Sequence, residues 1–227
     1  MESYVKIKMN EKLFLRNPED SELGKRIVEH SIILIHQIGF EAFTFKKLAQ
    51  KIKTTEAGVY RYFENKHRLL IYIVDWYWSW QEYRLIDETS NVKNAENKLR
   101  KAIKLLSSPV EVDDRFENVN ETLLYDIVMK DGAKSYLSQT VKEDNKNKLF
   151  QPYKDLCGHI AEIILECNKK YKYPRTLAST IIEMAHSQNY YMKNLPSLTD
   201  FAQTKKETDI SNFLENLVFS SINNTKK

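Results

Sequence analysis

The chain has 227 residues, of which 42% are hydrophobic, and it contains only five glycines and five prolines. This length suffices for one large domain or two modest ones, and so few turn-forming residues argue against a sheet-rich fold. The first seventy residues hold 13 Lys and Arg against 9 Asp and Glu, whereas the remainder is balanced at 22 against 22. The basic excess therefore lies in an N-terminal segment and favours a polyanionic partner for it. No apolar run approaches the ~18–20 residues that would span a bilayer, so we expect a cytoplasmic protein without membrane contact.

The first twenty residues predict an arm that precedes the helical part of the chain. Residues 4–16 alternate apolar and charged side chains, which indicates an extended arm or a small hairpin about Asn10-Glu11. The basic side chains of this arm are Lys6, Lys8, Lys12 and Arg16. Two alternatives stay open at this point: the arm contacts DNA outside the major groove, or it folds back on the protein.

Three helices are predicted after the NPED turn. Ser21 is placed to cap the first, which runs from Glu22 to Ile38 and stops at Gly39. Thr44 can cap a second helix that ends near Lys51. Thr54 or Thr55 can cap a third that ends near Phe63. Short helices joined by three or four residues have the spacing of a helix-turn-helix, in which the second helix of the pair enters the major groove.

The rest of the chain also shows helical periodicity. Asn65 opens a long helix to about Ile86, with Leu69, Ile73, Trp76, Trp80 and Tyr83 in one stripe. Further helices are predicted at about 94–107, 116–129, 133–143, 149–169, 174–194 and 208–222. We therefore predict an all-α protein with an arm (1–20), a three-helix DNA-binding domain (21–66) and a helical effector-binding and dimerisation bundle (67–227).

The third helix has an unusual composition for a helix that packs in a core. An exposed mid-helix glycine costs roughly 1 kcal/mol, so Ala57-Gly58 is more easily explained by close approach of the backbone to base edges. Tyr60 and Tyr62 can offer hydroxyl groups to phosphate oxygens. Arg61 can reach phosphate or guanine, and Glu56 can accept a hydrogen bond from cytosine.

These features together resemble the DNA-binding domain of the TetR/AcrR family of bacterial one-component regulators. The matching residues are Gly39, Thr44, Leu48-Ala49, Thr55, Val59-Tyr60-x-Tyr62-Phe63, Asn65-Lys66 and Leu69. The resemblance implies phosphate contacts by Thr44, Tyr60, Tyr62 and Lys66, and base contacts by residues 55–58. The complete predicted DNA-binding set is Thr44, Lys46, Lys47, Thr55, Glu56, Ala57, Gly58, Tyr60, Arg61, Tyr62 and Lys66. Two positions depart from the family: Lys53 replaces the usual turn glycine, and Gly58 replaces a common threonine.

The resemblance also implies a homodimeric transcriptional regulator, most simply a repressor, which binds a palindromic DNA operator and releases it when a small-molecule effector binds. Candidate effector contacts are Trp80, Tyr83, Tyr125 and Met129, although core packing explains such aromatic residues equally well. The last two long helices imply a dimer seam. Its candidate residues are Leu177, Ile181, Met184, Ile210, Phe213, Leu214 and Leu217.

Two other classes of function are weighed against this one. A nucleoid or sigma-like DNA-binding protein would lack the small-molecule effector. An all-helical enzyme would need a catalytic set, and no Ser/His/Asp combination or phosphate-binding loop is recognisable. The five histidines and two cysteines show no metal-ligand spacing, so we expect neither a metal nor a cofactor.

Overall fold

The computed structural model describes residues 6–113, 115–116, 119–204 and 206–223. Across these ranges the protein is helical and contains no β-strand, which confirms the predicted all-α class. The chain forms two compact units: the first comprises the described residues of Met1–Trp80 and Val110–Pro152, and the second those of Gln81–Pro109 and Tyr153–Lys227. This division does not follow the predicted limit between residues 66 and 67, and the functional domains stay a prediction.

Eleven α-helices lie in the described ranges. Their bounds are α1 Glu22–Ala42, α2 Phe45–Lys51, α3 Glu56–Tyr60, α4 Lys66–Thr89, α5 Ala95–Ser107, α6 Glu121–Asp131, α7 Val141–Lys146, α8 Gln151–Cys167, α9 Pro174–Asn194, α10 Phe201–Thr204 and α11 Glu207–Asn223.

Helix α1 begins and breaks where the sequence predicts. The Ser21 hydroxyl accepts a hydrogen bond from the Gly24 amide at 3.2 Å, which satisfies one of the free N–H groups of the first turn. Gly24 lies against the preceding turn so closely that a Cβ there would come within 2.2 Å of the Pro18 carbonyl oxygen. Gly39 has φ 77° and interrupts the helix, which then continues for one more turn to Ala42.

The last turn of α1 is attached to α6 and to the residues that follow it. The Phe40 amide donates to the Asp131 carboxylate at 3.3 Å. The Lys134 ammonium lies 2.9 Å from Asp131 and 2.8 Å from Glu41, so it bridges the two segments. Because α2 begins three residues after this turn, these contacts fix the starting point of the helix-turn-helix.

Helix α4 is buried on all sides over much of its length. Every residue from 69 to 78 is at most 7% exposed, which is typical of a central core helix. The single apolar stripe predicted for this helix is therefore too narrow, because the neighbouring positions Leu70, Tyr72 and Tyr77 are buried as well.

The predicted hairpin in the N-terminal arm is wrong over residues 6–20. This segment contains two short 3₁₀ turns, Glu11–Leu13 and Pro18–Asp20, and no strand. The Leu15 amide donates to the Tyr62 carbonyl at 2.8 Å, and Leu13 is 1% exposed. The described part of the arm is thus folded onto the first unit, while the arm residues 4 and 5 lie outside the described ranges.

The second unit is built around α5, α9 and α11. Leu99 and Ile103 of α5, Ile181 of α9, and Leu214 and Val218 of α11 are all at most 1% exposed and form its core. No helix in the described ranges is long and apolar enough to cross a membrane.

Several predicted helix bounds need correction. Helix α9 agrees at both ends, but the helix predicted from 116 begins at Glu121, because Asn120 caps it through the Leu123 amide. The helix predicted at 133–143 is wrong: a 3₁₀ turn, Gly132–Ser135, is followed by the separate helix α7. The short helix α10 was not predicted.

Candidate nucleic-acid interface

The starts of helices α2 and α3 are fixed by side-chain caps. The Thr44 hydroxyl accepts from the Lys47 amide at 3.2 Å, and the Thr55 hydroxyl accepts from the Gly58 amide at 3.1 Å. Both predicted caps are thereby confirmed, with Thr55 rather than Thr54 as the second. In the turn, Lys53 has φ 53°, the left-handed conformation for which most residues are strained.

The outer face of α2 and α3 exposes most of the predicted DNA-binding residues. The exposed members are Thr44, Lys46, Lys47, Thr55, Glu56, Ala57, Tyr60 and Arg61. The inner face is buried, with Leu48 and Val59 at 0% and Ala49 at 4% exposure. Glu56 is the only acidic residue between positions 44 and 63. The exposed face is therefore cationic and can approach a polyanion.

Ala57 and Gly58 differ in what surrounds them. Ala57 is exposed, so its small side chain leaves the surface of α3 open. Gly58 is half-buried, and a Cβ there would lie 3.0 Å from the Thr54 hydroxyl. Gly58 thus has a packing reason of its own, whereas the interpretation of close approach to DNA rests on Ala57.

Tyr60 projects from the surface while its ring is supported from below. It is 47% exposed, and its ring packs edge-to-face on Phe45 with centroids 5.0 Å apart. This contact holds the ring in place and leaves the hydroxyl available to a phosphate.

Tyr62 does not lie on the exposed face, contrary to its predicted role. It is 2% exposed, and its hydroxyl forms a 2.7 Å hydrogen bond with the Ser21 hydroxyl. The Arg16 guanidinium lies 5.5 Å from the ring centroid. Tyr62 therefore joins the N-terminal arm and the start of α1 to the helix-turn-helix, and we remove it from the phosphate-binding set.

Lys66 also has an internal role that the sequence did not predict. Its ammonium donates to the carbonyl oxygens of Phe40, Glu41 and Phe43 at 3.1, 3.2 and 3.3 Å. It also lies 4.7 Å from the centroid of the Phe40 ring. These carbonyls belong to the end of α1, so Lys66 acts as a C-terminal cap for that helix and all three of its donors are engaged. The predicted phosphate contact by its side chain is not supported by this geometry.

Three exposed polar residues on or beside α2 are not in the predicted DNA-binding set. Gln50, Lys51 and Lys53 are exposed, and they lie at the end of α2 and in the turn that leads to α3. The local charge count, seven Lys and Arg against two acids over residues 44–70, was the available signal for the two lysines.

The four candidate effector residues differ in burial. Trp80 is 1% exposed and Tyr125 is 7% exposed, and the Tyr77 ring lies 5.9 Å from the first and 6.3 Å from the second. Tyr83 and Met129 are only half-buried. A cavity of about 210 Å³ in the first unit is lined instead by Ile35, His36, Gly39, Asp126, Ile127, Lys130 and Asp131.

The first unit also buries an acidic side chain that the sequence analysis did not consider. Asp75 of α4 is 2% exposed, and burial raises the pKa of its carboxyl group to about 8. Its position within the apolar run from Leu69 to Trp78 was the signal in the sequence.

The predicted dimer residues fall into two groups in the second unit. Leu177, Ile181, Ile210 and Leu214 are at most 8% exposed and belong to the core of the protomer itself, so they are not available to a partner. Phe213 is 44% and Leu217 is 40% exposed, and Met184 is half-buried. Phe213 and Leu217 are one turn apart on α11, which makes them the apolar residues of this helix that a second subunit can cover.

Neither cysteine has the properties of a reactive thiol. Cys157 and Cys167 are both free, and burial raises the pKa of each thiol to about 11. In the described part of the chain, no group of three or more His, Cys, Asp or Glu side chains could hold a metal ion.

One known family model matches the N-terminal part of the chain. Residues 27–73 match a sequence model described as bacterial regulatory proteins, tetR family. This segment begins inside α1, includes α2 and α3, and ends in α4. No curated protein matches the chain.

Solved structures of regulators share the overall fold. A crystal structure of AibR in complex with isovaleryl coenzyme A and operator DNA is similar with a TM-score of 0.59 and 16% identity, over 86% of this chain and 97% of that one. The crystal structure of apo AibR is similar with a TM-score of 0.55 and 14% identity, over 85% of this chain and 96% of that one. The structure of the fatty acid degradation regulator FadR from Bacillus halodurans is similar with a TM-score of 0.56 and 16% identity, over 84% of this chain and 96% of that one. At these identities the similarity concerns the fold.

Proposed function

We propose that the chain is a cytoplasmic, homodimeric repressor of the TetR family, because residues 27–73 match the sequence model of bacterial regulatory proteins, tetR family, and that it releases its operator when a small molecule binds. The function is regulatory rather than enzymatic. Its DNA-binding surface is the exposed face of α2 and α3, and its other two partners are a second copy of the chain and an effector.

The observation that carries this proposal is that the face combines exposed cationic side chains with a small side chain at the surface of α3. Lys46 of α2 and Arg61 at the end of α3 are exposed, as is Ala57, the smallest exposed side chain of α3. Lys47 is exposed as well, and its ammonium donates to the Ala42 carbonyl at 2.8 Å. Cationic side chains supply the sequence-independent attraction to phosphates, and a thin helix surface allows the backbone to approach base edges. We assign the remaining predicted contacts, except those of Tyr62 and the Lys66 side chain, to the same surface.

Two arguments support the dimer and the effector. One helix-turn-helix reads a short half-site and binds weakly, so two-fold pairing supplies both affinity and a palindromic site. Exposed Phe213 and Leu217 on α11 provide apolar surface for that pairing.

AibR, which shares this fold, has been crystallised with an acyl coenzyme A and with operator DNA, which shows that such a fold can serve both ligands. Binding of an effector would then favour the dimer geometry that does not span both half-sites.

Selection of bound sequences from random duplex DNA tests the proposal directly. We expect enrichment of a two-fold symmetric sequence, and a log–log salt dependence of its affinity that reflects several phosphate contacts. Lys46→Ala should lower that slope by about 1.8, about 0.9 for each of the two subunits, because Lys46 is exposed on the proposed surface.

Lys169→Ala is the matched control, since Lys169 is an exposed lysine of the second unit. This variant should leave both affinity and slope unchanged. If no sequence is enriched, or if both variants lower the slope equally, the proposed surface is wrong.

A further inference from the structure

Asp75 is an exception among the buried acids of the protein. Within the described ranges, four acidic residues are buried, and three of them have partners. Asp144 accepts from the Arg68 guanidinium at 2.6 Å, Asp131 lies 2.9 Å from the Lys134 ammonium, and Glu121 accepts from the Asp113 amide at 3.3 Å. The Oδ2 atom of Asp75 is fully enclosed and has no hydrogen-bond partner.

A buried polar atom without a partner is rare in folded proteins, because it loses its hydrogen bonds to water and gains none in return. Replacement of Asp75 by an apolar residue of similar size would remove this cost. A ligand that binds beside this atom would supply the missing hydrogen-bond or ion-pair partner and remove the cost.

The neighbours of Asp75 on α4 indicate which chemical class of ligand would suit this position. Residues three positions apart on a helix lie side by side, so Tyr72 and Trp78 flank Asp75 on one side of α4. Both aromatic residues are buried, at 0% and 7% exposure. A carboxylate beside electron-rich rings suits an organic ammonium group, which can form an ion pair with the first and cation–π contacts with the second.

We propose that Asp75 is the anchor for a cationic effector, an organic ammonium compound, which pairs with its carboxylate beside Tyr72 and Trp78. This inference rests on the proposed regulatory function and adds the chemical class of the effector. The ligand-free protein holds the carboxyl group protonated at neutral pH, in keeping with its raised pKa. Binding of a cation favours the ionised form, so the proton leaves the carboxyl group and passes to the solvent.

Thermal shifts with matched probes test the inference. Benzylammonium, choline and spermidine are the cationic probes, benzyl alcohol is the uncharged analogue of the first, and benzoate is its anionic analogue. We expect at least one cation to raise the melting temperature of the full chain, and we expect no rise with benzyl alcohol or benzoate. Absence of a response to all three cations, or an equal response to benzyl alcohol, would overturn the inference.

Variants then locate the response. Asp75→Asn keeps the shape of the side chain and removes its charge, and it should weaken binding of the active cation about 30-fold or more. Glu162→Gln removes an exposed acid of the second unit and should change nothing. An unchanged affinity in Asp75→Asn would show that the cation binds elsewhere and would refute the assignment.

Calorimetry of the wild-type protein keeps the test decisive even if the variant folds poorly. Titrations at pH 7 in buffers of different ionisation enthalpy should show proton release on binding of the cation, because Asp75 is mostly protonated before binding. Binding without proton release contradicts the proposed pair.

The two proposals fail in different ways. If the chain binds a selected operator but no cation, the effector class is wrong and the regulator proposal stands. If a cation binds through Asp75 but no DNA sequence is selected, the cation-binding site stands and the regulator proposal is wrong.

Discussion

Lys66 offers a test that separates an internal role from a DNA contact. The change Lys66→Met keeps an unbranched side chain against the Phe40 ring and removes the ammonium group that donates to three carbonyl oxygens of the α1 end. Hydrogen bonds that involve a charged group contribute about 1.5–3 kcal/mol. Because the site is half-buried and solvent competes for the carbonyls, we expect a total loss of about 2 kcal/mol in the free energy of unfolding.

For a chain of this length, about 2 kcal/mol corresponds to a fall in melting temperature of roughly 4–8 °C. The assay is thermal unfolding followed by circular dichroism, combined with operator affinity at several salt concentrations well below the transition. We expect Lys66→Met to unfold earlier and to keep the salt slope of the wild type.

Lys46→Met is the matched control, because Lys46 lies exposed on α2. It should retain the wild-type melting temperature and lower the salt slope by about 1.8, because each of the two subunits loses one phosphate contact. The reasoning is refuted if Lys66→Met keeps the wild-type melting temperature and shows a weaker salt dependence of operator affinity. The Lys66 ammonium of the wild type would then contact phosphate rather than α1.

Four further results are expected. Ala57→Leu should leave the melting temperature nearly unchanged, because Ala57 is exposed, and should reduce operator affinity to that for unrelated DNA, as measured by fluorescence anisotropy; retained specificity would contradict the proposed approach of α3. Lys53→Gly should raise the free energy of unfolding by about 0.5–1 kcal/mol, because relief of the left-handed strain at φ 53° exceeds the added entropy of the unfolded chain; a lower denaturation midpoint would argue against strain. Leu13→Ala should cost about 2–4 kcal/mol in chemical denaturation, since the arm buries this side chain, whereas an arm that detaches freely would show no cost. Because burial raises the folded-state pKa of Asp75 from 3.8 to about 8, the folded state binds more protons and wild-type stability contains a component that falls as pH rises from 4 to 8; Asp75→Asn should lack this component, and identical pH profiles for both proteins would show that Asp75 is not buried as described.

The parts of the fold that the sequence predicted depend on local signals. Pro174 at the first position of α9 and the LPSL break after Asn194 gave both ends of that helix, because such signals act within a few residues. The caps Ser21, Thr44 and Thr55 were found for the same reason.

The errors concern residues whose partners are distant in the chain. Tyr62 and Lys66 were predicted to contact phosphates from their side-chain chemistry and from the family resemblance. Their partners, Ser21 and the end of α1, lie 41 and 23–26 residues away in the chain. No sequence pattern shows that a hydroxyl or an ammonium group is already engaged by such a partner.

The region between α6 and α8 shows a second limit. A helix over 133–143 fits the local pattern, but the Thr140 hydroxyl donates to the Asp144 carboxylate, which also pairs with Arg68 of α4. This buried pair fixes a short helix at 141–146 in place of the longer one. Tertiary contacts thus override a weak local preference.

Methylation protection of a selected operator tests the central claim most directly, because dimethyl sulfate reacts with guanine N7 in the major groove. We predict two protected clusters related by two-fold symmetry and separated by about one or more helical turns, and we predict that Ala57→Leu abolishes both. A single cluster, or the same protection by Ala57→Leu as by the wild type, would contradict the claim that the exposed face of α2 and α3 reads DNA as a dimer.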